Sequence, residues 1–246
     1  MKQTGNTILV TGGGSGIGQA LAHRWHDAGN HVIITGRRQQ VLNDAIAGRD
    51  RMSAYVLDVT KPADIEAFVQ RLLAAHPTLN VLVNNAGVFS TEKVASHRDL
   101  ADTEHMIVTN LLGPVRMMNA LIDHLGAQAD AAIINVSSGL AFVPYPASPT
   151  YSATKAAIHS YTAAMRPLLA GKVEMIEIVP PQVQTELSPG QSTDPNSMPL
   201  AAFADEVMAL LQAAETPAEV CVERVRYFRD AEANGQFDEA LQMMVQ

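Results

Sequence analysis

Only one cysteine occurs in the 246-residue chain, Cys221. A single thiol excludes an internal disulfide and fits a reducing compartment. Set in Glu219-Val-Cys-Val222, it reads as a small buried apolar residue. Basic residues are also scarce: 17 lysines and arginines face 25 acids, giving a net charge of −8 and a pI near 5.4. A nucleic-acid partner needs a basic footprint, which this balance denies. No apolar run approaches the ~20 residues of a membrane span. Residues 1–6 lead straight into a strand pattern, without the apolar region of a secretory signal. A cytoplasmic protein is therefore expected. Metal-ligand spacing is missing too. Of eight histidines only His23 and His26 lie a helical turn apart, with no further ligand cluster, so no metal is expected.

What the chain does have is apolar residues, 47% of the total, enough for one sizeable core. Strand-length apolar runs fall at 7–10, 31–35, 53–57, 81–84, 131–136, 173–179 and 220–222. Helical patterns lie between them, near 16–28, 38–47, 62–75, 99–125, 150–169 and 202–214. The order is βαβαβ twice over, then one more strand. Short strands rich in Val and Ile suit a parallel sheet buried on both faces. The expected fold is α/β: one Rossmann-type domain over 1–246, with a doubly wound parallel sheet of about seven strands and helices on both faces. Its ligand crevice lies at the carboxyl ends of the strands. Two segments break the pattern. Residues 186–200 are rich in turn formers and read as a mobile loop or lid. Residues 223–246 form a tail with an apolar stripe on helical segments, expected to dock on the core or a neighbouring subunit.

The first strand runs into Thr11-Gly12-Gly13-Gly14-Ser15-Gly16-Ile17-Gly18. Glycine is needed where a β-carbon would block a phosphate, and the following helix start offers free N–H groups and a positive dipole. The spacing Gly-x-x-x-Gly-x-Gly differs from the commoner Gly-x-Gly-x-x-Gly fingerprint. The second strand ends Thr35-Gly36-Arg37-Arg38. An NAD site would place an acid here for the ribose hydroxyls; instead two guanidiniums stand where a 2′-phosphate would lie. NADP(H) is favoured, with NAD as the alternative. Farther on, Tyr151 and Lys155 lie one helical turn apart, on one face. An ammonium near a phenol favours phenolate, and such a phenol can exchange a proton with a carbonyl or alcohol oxygen.

These motifs together closely resemble the short-chain dehydrogenase/reductase family. Thr11–Gly18 is similar to its TGxxxGxG turn, Asp58-Val59 to the adenine position, and Asn84-Asn-Ala86-Gly87 to its NNAG motif. Asn110, Ser138, Tyr151 and Lys155 match the catalytic tetrad. Pro180-Pro181-Gln-Val183-Gln-Thr185 stands where the family has PGxxxT at the nicotinamide carboxamide, with proline in place of glycine. Val179–Leu187 and the tail also resemble a branch named after a D-alanine esterification operon.

The resemblance implies reversible hydride transfer between NADP(H) and a carbonyl or secondary alcohol. Tyr151 would be the general acid/base, Ser138 would hold the substrate oxygen, Lys155 would tune Tyr151 and bind the ribose, and Asn110 would hold a relay water. Cofactor contacts are implied for Gly12, Ser15, Gly16, Ile17, Gly18, Arg37, Arg38, Asp58, Val59, Asn84, Ala86, Gly87, Tyr151, Lys155, Pro181, Val183 and Thr185. A non-catalytic dinucleotide-binding regulator and a nucleotide-sugar epimerase-like enzyme are the alternatives. Residues 140–146 and 187–200 are expected to line the substrate pocket; Asp194 is their one charge, which favours a neutral, fairly hydrophobic carbonyl compound. His159 is expected at a subunit contact. Small and apolar residues on more than one face of helices 99–125 and 150–169 imply a homo-oligomer, a tetramer ahead of a dimer.

Overall fold

The computed structural model describes residues 1–245. Seven strands form one sheet: β1 (Thr7–Thr11), β2 (His31–Gly36), β3 (Met52–Val56), β4 (Leu79–Asn84), β5 (Ala131–Val136), β6 (Val173–Val179) and β7 (Glu219–Cys221). Their order is β3-β2-β1-β4-β5-β6-β7, and every pairing is parallel. Nine α-helices are described: α1 (Gly16–Asp27), α2 (Gln39–Ile46), α3 (Pro62–Ala75), α4 (Ala101–Ile107), α5 (Gly113–Gly126), α6 (Pro149–Leu169), α7 (Leu200–Leu211), α8 (Arg226–Arg229) and α9 (Phe237–Met243). This is the doubly wound α/β architecture expected from the sequence.

Strand periodicity builds two cores. Ile8 and Val10 of β1 face a layer that includes Leu21 and Trp25 of α1 and Phe203 and Val207 of α7. Leu9, between them, faces the opposite layer, with Phe68 of α3, Leu121 of α5 and Ile158 of α6. Because both faces are covered, β1, β4 and β5 are buried at every residue. Strand order reverses beside β1, which pairs β2 on one side and β4 on the other. The crevice at that switch point is the natural ligand position.

Several boundaries differ from the sequence expectation. The helix expected over 99–125 is α4 and α5 joined by a π-helical turn, Val108–Leu112, whose Gly113 N–H reaches back five residues to the Val108 carbonyl. Pro114 gives the reason: it has no N–H, so the Asn110 carbonyl loses its i+4 donor and the ladder slips by a residue. The third and last strands begin one residue early, at Met52 and Glu219. The loop at 186–200 is tied at its base: Gln184 N–H donates to the Met198 carbonyl and Met198 N–H to the Gln182 carbonyl, each at 2.8 Å. Ser197 and Met198 are buried, while Glu186, Leu187, Pro189, Gly190, Thr193, Pro195, Asn196 and Pro199 are exposed. The tail docks through Ala231 and Ala240 on Val143; Gln246, its last residue, lies outside the described residues.

Three asparagines stitch the amino ends of the strands. Asn30 Oδ1 accepts from the Asn6 N–H and amide, and Asn30 Nδ2 donates to the Trp25 carbonyl at 2.8 Å. Asn80 Oδ1 accepts from the Thr7 N–H, and Asn80 Nδ2 donates to Asn6 Oδ1. All three are buried. Replacing Asn30 with Ala orphans buried donors and should cost about 2–4 kcal/mol, read as a lower urea midpoint at unchanged m-value; a loss below about 1 kcal/mol would contradict the network's role.

Candidate active site

A cleft of about 920 Å³ opens at the carboxyl ends of the strands. The β1–α1 turn forms its floor. Gly12 has φ +65°, and a β-carbon there would lie 2.8 Å from Ala86 Cα. Gly18 is the third residue of α1; its β-carbon would fall 2.5 Å from the Gly12 carbonyl oxygen. Side chains at either position would prise the turn from the loop after β4. With them absent, Ser15, Gly16 and Ile17 border the cleft at the start of α1.

At one end lie Gly36, Arg37, Arg38, Asp58 and Val59. Both guanidiniums are exposed, and neither makes a hydrogen bond or ion pair among the described residues. Burial works to raise the Asp58 carboxyl, but hydrogen bonds from the Thr60 hydroxyl and N–H, with the charges of Arg37 and Lys61, hold it below the usual carboxylate value. Thr35 and Thr109 also border the cleft, and the hydroxyl of each is buried without a protein partner. Glycines that a β-carbon would clash, free cations and orphaned hydroxyls together fit a bound dinucleotide.

At the other end α6 presents Tyr151 and Lys155, both buried. Lys155 Nζ donates to the Val136 carbonyl at 2.9 Å and lies 5.5 Å from the centre of the Tyr151 ring. Burial pushes the Tyr151 phenol up to about 12, against hydrogen bonding by Ser138. Burial pushes the Lys155 ammonium down to about 8, with Glu177 acting against it. The lowering expected from Lys155 does not set this phenol: desolvation is the largest influence and raises it. Ser138 follows β5 and accepts the Leu140 N–H at 3.1 Å. Asn110 sits in the π turn. Its Oδ1 accepts the Val88 N–H and its Nδ2 donates to the Val88 carbonyl, both at 2.9 Å.

The β6–α7 segment closes the side of the cleft with Pro181, Val183 and Thr185. Proline is tolerated at 181 because the turn's contact comes from its neighbour: the Pro180 carbonyl accepts the Gly139 N–H at 2.8 Å.

Three residue groups stand elsewhere than expected. Asn84 ends β4 with its amide on Asn135, inside the sheet, and Asn85 borders the cleft instead, donating to the Thr11 and Gly12 carbonyls. Gly18 acts through close packing and does not border the cleft. Within residues 140–146, Phe142 and Val143 face away from the cleft: Phe142 meets His159 edge-on and lies under the Arg229 guanidinium, and Val143 is buried against Ala231 and Ala240. Phe89, which the sequence reading missed, packs its ring edge-on to Tyr151 at 5.1 Å. His159 binds the buried Glu177.

Known proteins share this fold. A short chain dehydrogenase family model matches residues 6–196. An uncharacterized oxidoreductase, DltE of Bacillus subtilis, is 38% identical over 94% of this chain and 93% of its own. Sulfoacetaldehyde reductase 2 of Chromohalobacter salexigens is 36% identical over 74% of each. The solved structure of a short chain dehydrogenase from Burkholderia cenocepacia in complex with NADP superposes with a TM-score of 0.85 at 26% identity, over 98% of this chain and 99% of that one. Matched over most of its length by family model, relatives and solved structure alike, the chain belongs to the short-chain dehydrogenase family and is an oxidoreductase.

Proposed function

We propose that the enzyme transfers hydride between NADP(H) and a neutral carbonyl compound or its secondary alcohol, with Tyr151 as general acid/base. The observation that carries this is a desolvated phenol and ammonium one helical turn apart at the mouth of a dinucleotide-sized cleft. The dinucleotide supplies the hydride chemistry when bound. Backbone N–H groups at Ser15, Gly16 and Ile17 would hold its pyrophosphate at the start of α1, beside Gly12. Arg37 and Arg38 would take the 2′-phosphate, and Gly36 offers no carboxylate to repel it. Asp58 and Val59 would frame the adenine, and Ala86 and Gly87 the ring beyond it. Pro181, Val183 and Thr185 would meet the carboxamide.

In the reducing direction Tyr151 gives its proton to the substrate oxygen while Ser138 hydrogen-bonds that oxygen. Lys155 stabilises the phenolate left behind and binds the ribose hydroxyls. The Asn110 carbonyl, deprived of its i+4 donor by Pro114, would hold the water that returns a proton through Lys155. Val88, Phe89 and Leu187 give the substrate end an apolar wall, and Glu186, the only carboxylate there among the described residues, disfavours an anion. The C. salexigens relative is named for an anionic aldehyde. In this chain the cleft's two guanidiniums stand three strand spacings from Lys155, roughly 14 Å, too far to pair with a sulfonate at the reacting carbon.

Tyr151→Phe should cut turnover by about a hundredfold or more and leave NADPH binding within about twofold; near wild-type turnover would sink the assignment. In the wild type, reduction should hold steady below neutrality and fall as pH rises through about 8, where Lys155 loses its proton. A rate still level at pH 10 would contradict the role of Lys155.

Replacing Arg37 and Arg38 with Ala should weaken NADPH about tenfold or more and leave NADH nearly unchanged. A wild-type kcat/KM higher with NADH than with NADPH would refute the cofactor assignment.

The same reading includes a homo-oligomer, a tetramer ahead of a dimer. Ala153, Ala163 and Leu168 of α6 and Ile107 and Leu112 beside it are exposed, on helices whose other faces already cover the sheet. Sedimentation at micromolar concentration should give a multiple of the 26.4 kDa chain mass; a stable monomer would contradict it.

A further inference from the structure

Behind the catalytic pair lies a charge cluster that the proposed reaction does not use. Glu177, in the middle of β6, is fully buried. Its side chain points to α6, as does Met175 two residues earlier, which packs in the core containing Ile158. A carboxylate in such a place needs partners. His159 Nδ1 lies 2.8 and 3.1 Å from its two oxygens, and Arg166 Nη2 lies 3.6 Å away. Farther out, Glu219 of β7 pairs with Arg229 of α8 at 2.5 Å and sits 3.8 Å from Arg166. His159, Glu177 and Glu219 are close enough together to hold a cation, but Arg166 and Arg229 already supply the positive charge. The cluster is an ion-pair network.

Position within the network decides what it does. His159 is one turn along α6 from Lys155, while Arg166 is eleven residues away, roughly 16 Å along the helix axis. Lys155 Nζ rests on the Val136 carbonyl, and Val136 is in register with Ile178, the residue after Glu177. Of the cluster's two acids Glu177 is therefore the nearer to the lysine, with Glu219 one strand farther out, and the two arginines attract it from the far side. We infer that Glu177 is a positioning residue for the catalytic lysine: it is the buried counter-charge that keeps the Lys155 ammonium charged, and Arg166 sets how much of its field Lys155 feels. Burial drives Lys155 toward losing its proton, and Glu177 is the one charge opposing that loss. His159 is itself held more basic than usual by its hydrogen bond to Glu177, against burial, so it goes on screening Glu177 to higher pH than an isolated imidazole would.

The inference rests on the tyrosine–lysine reading above, but its test does not depend on turnover. The chain has five lysines, Lys2, Lys61, Lys93, Lys155 and Lys172. Their ¹³Cε resonances can be followed by NMR from pH 6 to pH 11 in the full-length protein, with Lys155 identified by its absence from the Lys155→Arg spectrum. Glu177→Gln should move the Lys155 midpoint down by about half a unit or more, roughly threefold in proton affinity, and Arg166→Gln should move it up. Opposite signs are what a field gives; a packing disturbance would move both variants the same way or neither. An unchanged midpoint in Glu177→Gln, or shifts of one sign in both variants, would overturn the inference. Should Glu177→Gln fail to fold by its melting curve, the partly exposed Arg166 decides alone: an upward shift supports the inference and no shift overturns it. Activity of Tyr151→Phe would break the underlying mechanism without altering these titrations, so the two failures are distinguishable.

Discussion

Desolvation of two groups one helical turn apart is the constraint on which the site depends. In water a phenol and an ammonium near pH 7 would both sit about three units from titration. Under the packing of α6 against β5 and β6 they move in opposite senses, Tyr151 up to about 12 and Lys155 down to about 8. The phenol stays a proton donor and the lysine comes close enough to neutrality to pass a proton on. Such tuning requires that α6 be held firmly. Its first turn is anchored by Glu92, a carboxylate only 1% exposed, which accepts the Thr150 N–H and hydroxyl at 2.8 Å each and is neutralised by Arg98. A carboxylate at a helix N-terminus is also favoured by the helix dipole. The lysine end is fixed by the carbonyl of Val136.

Much of this was legible in the residues because the signals were local. Apolar runs such as Thr7–Thr11 and Val173–Val179 are unmistakable when both faces of a sheet are covered. The glycine turn announced itself through spacing, and Tyr151 and Lys155 through helical period. What stayed hidden depended on distant parts of the chain. Phe142 and Val143 were expected in the substrate pocket; they turn away because Gly139 lets Val225 of the tail approach to 2.8 Å of where its β-carbon would stand. No local pattern reports that. Asn84 was expected at the cleft, and Asn85 borders it instead, because strand alternation sends consecutive side chains to opposite faces and which one meets the cleft depends on where β4 ends. The π turn did have a signal: Pro114, four residues after Asn110, within an otherwise helical pattern.

The tail shows how long-range packing shapes a local site. Val225 and Phe228 press on the turn beside Ser138, and Arg229 caps both Phe142 and Glu219. The serine that would orient the substrate oxygen is thus braced by the last quarter of the chain as well as by its own strand. Among the described residues the near end of the cleft has an apolar wall and a single acid, while its guanidiniums, Arg37 and Arg38, lie at the far end. On the proposed reading, one cleft would separate recognition of an anionic cofactor from handling of an uncharged substrate.

Hydride transfer to a neutral carbonyl is the central claim, and isotope tracing tests it most directly. A panel of uncharged aldehydes and ketones would be incubated with NADPH deuterated at nicotinamide C4, and the products examined by mass spectrometry and NMR. The account predicts an alcohol carrying deuterium on the former carbonyl carbon, formed faster with NADPH than with NADH. Alcohol without that label, or turnover only of anionic carbonyl compounds, would contradict it.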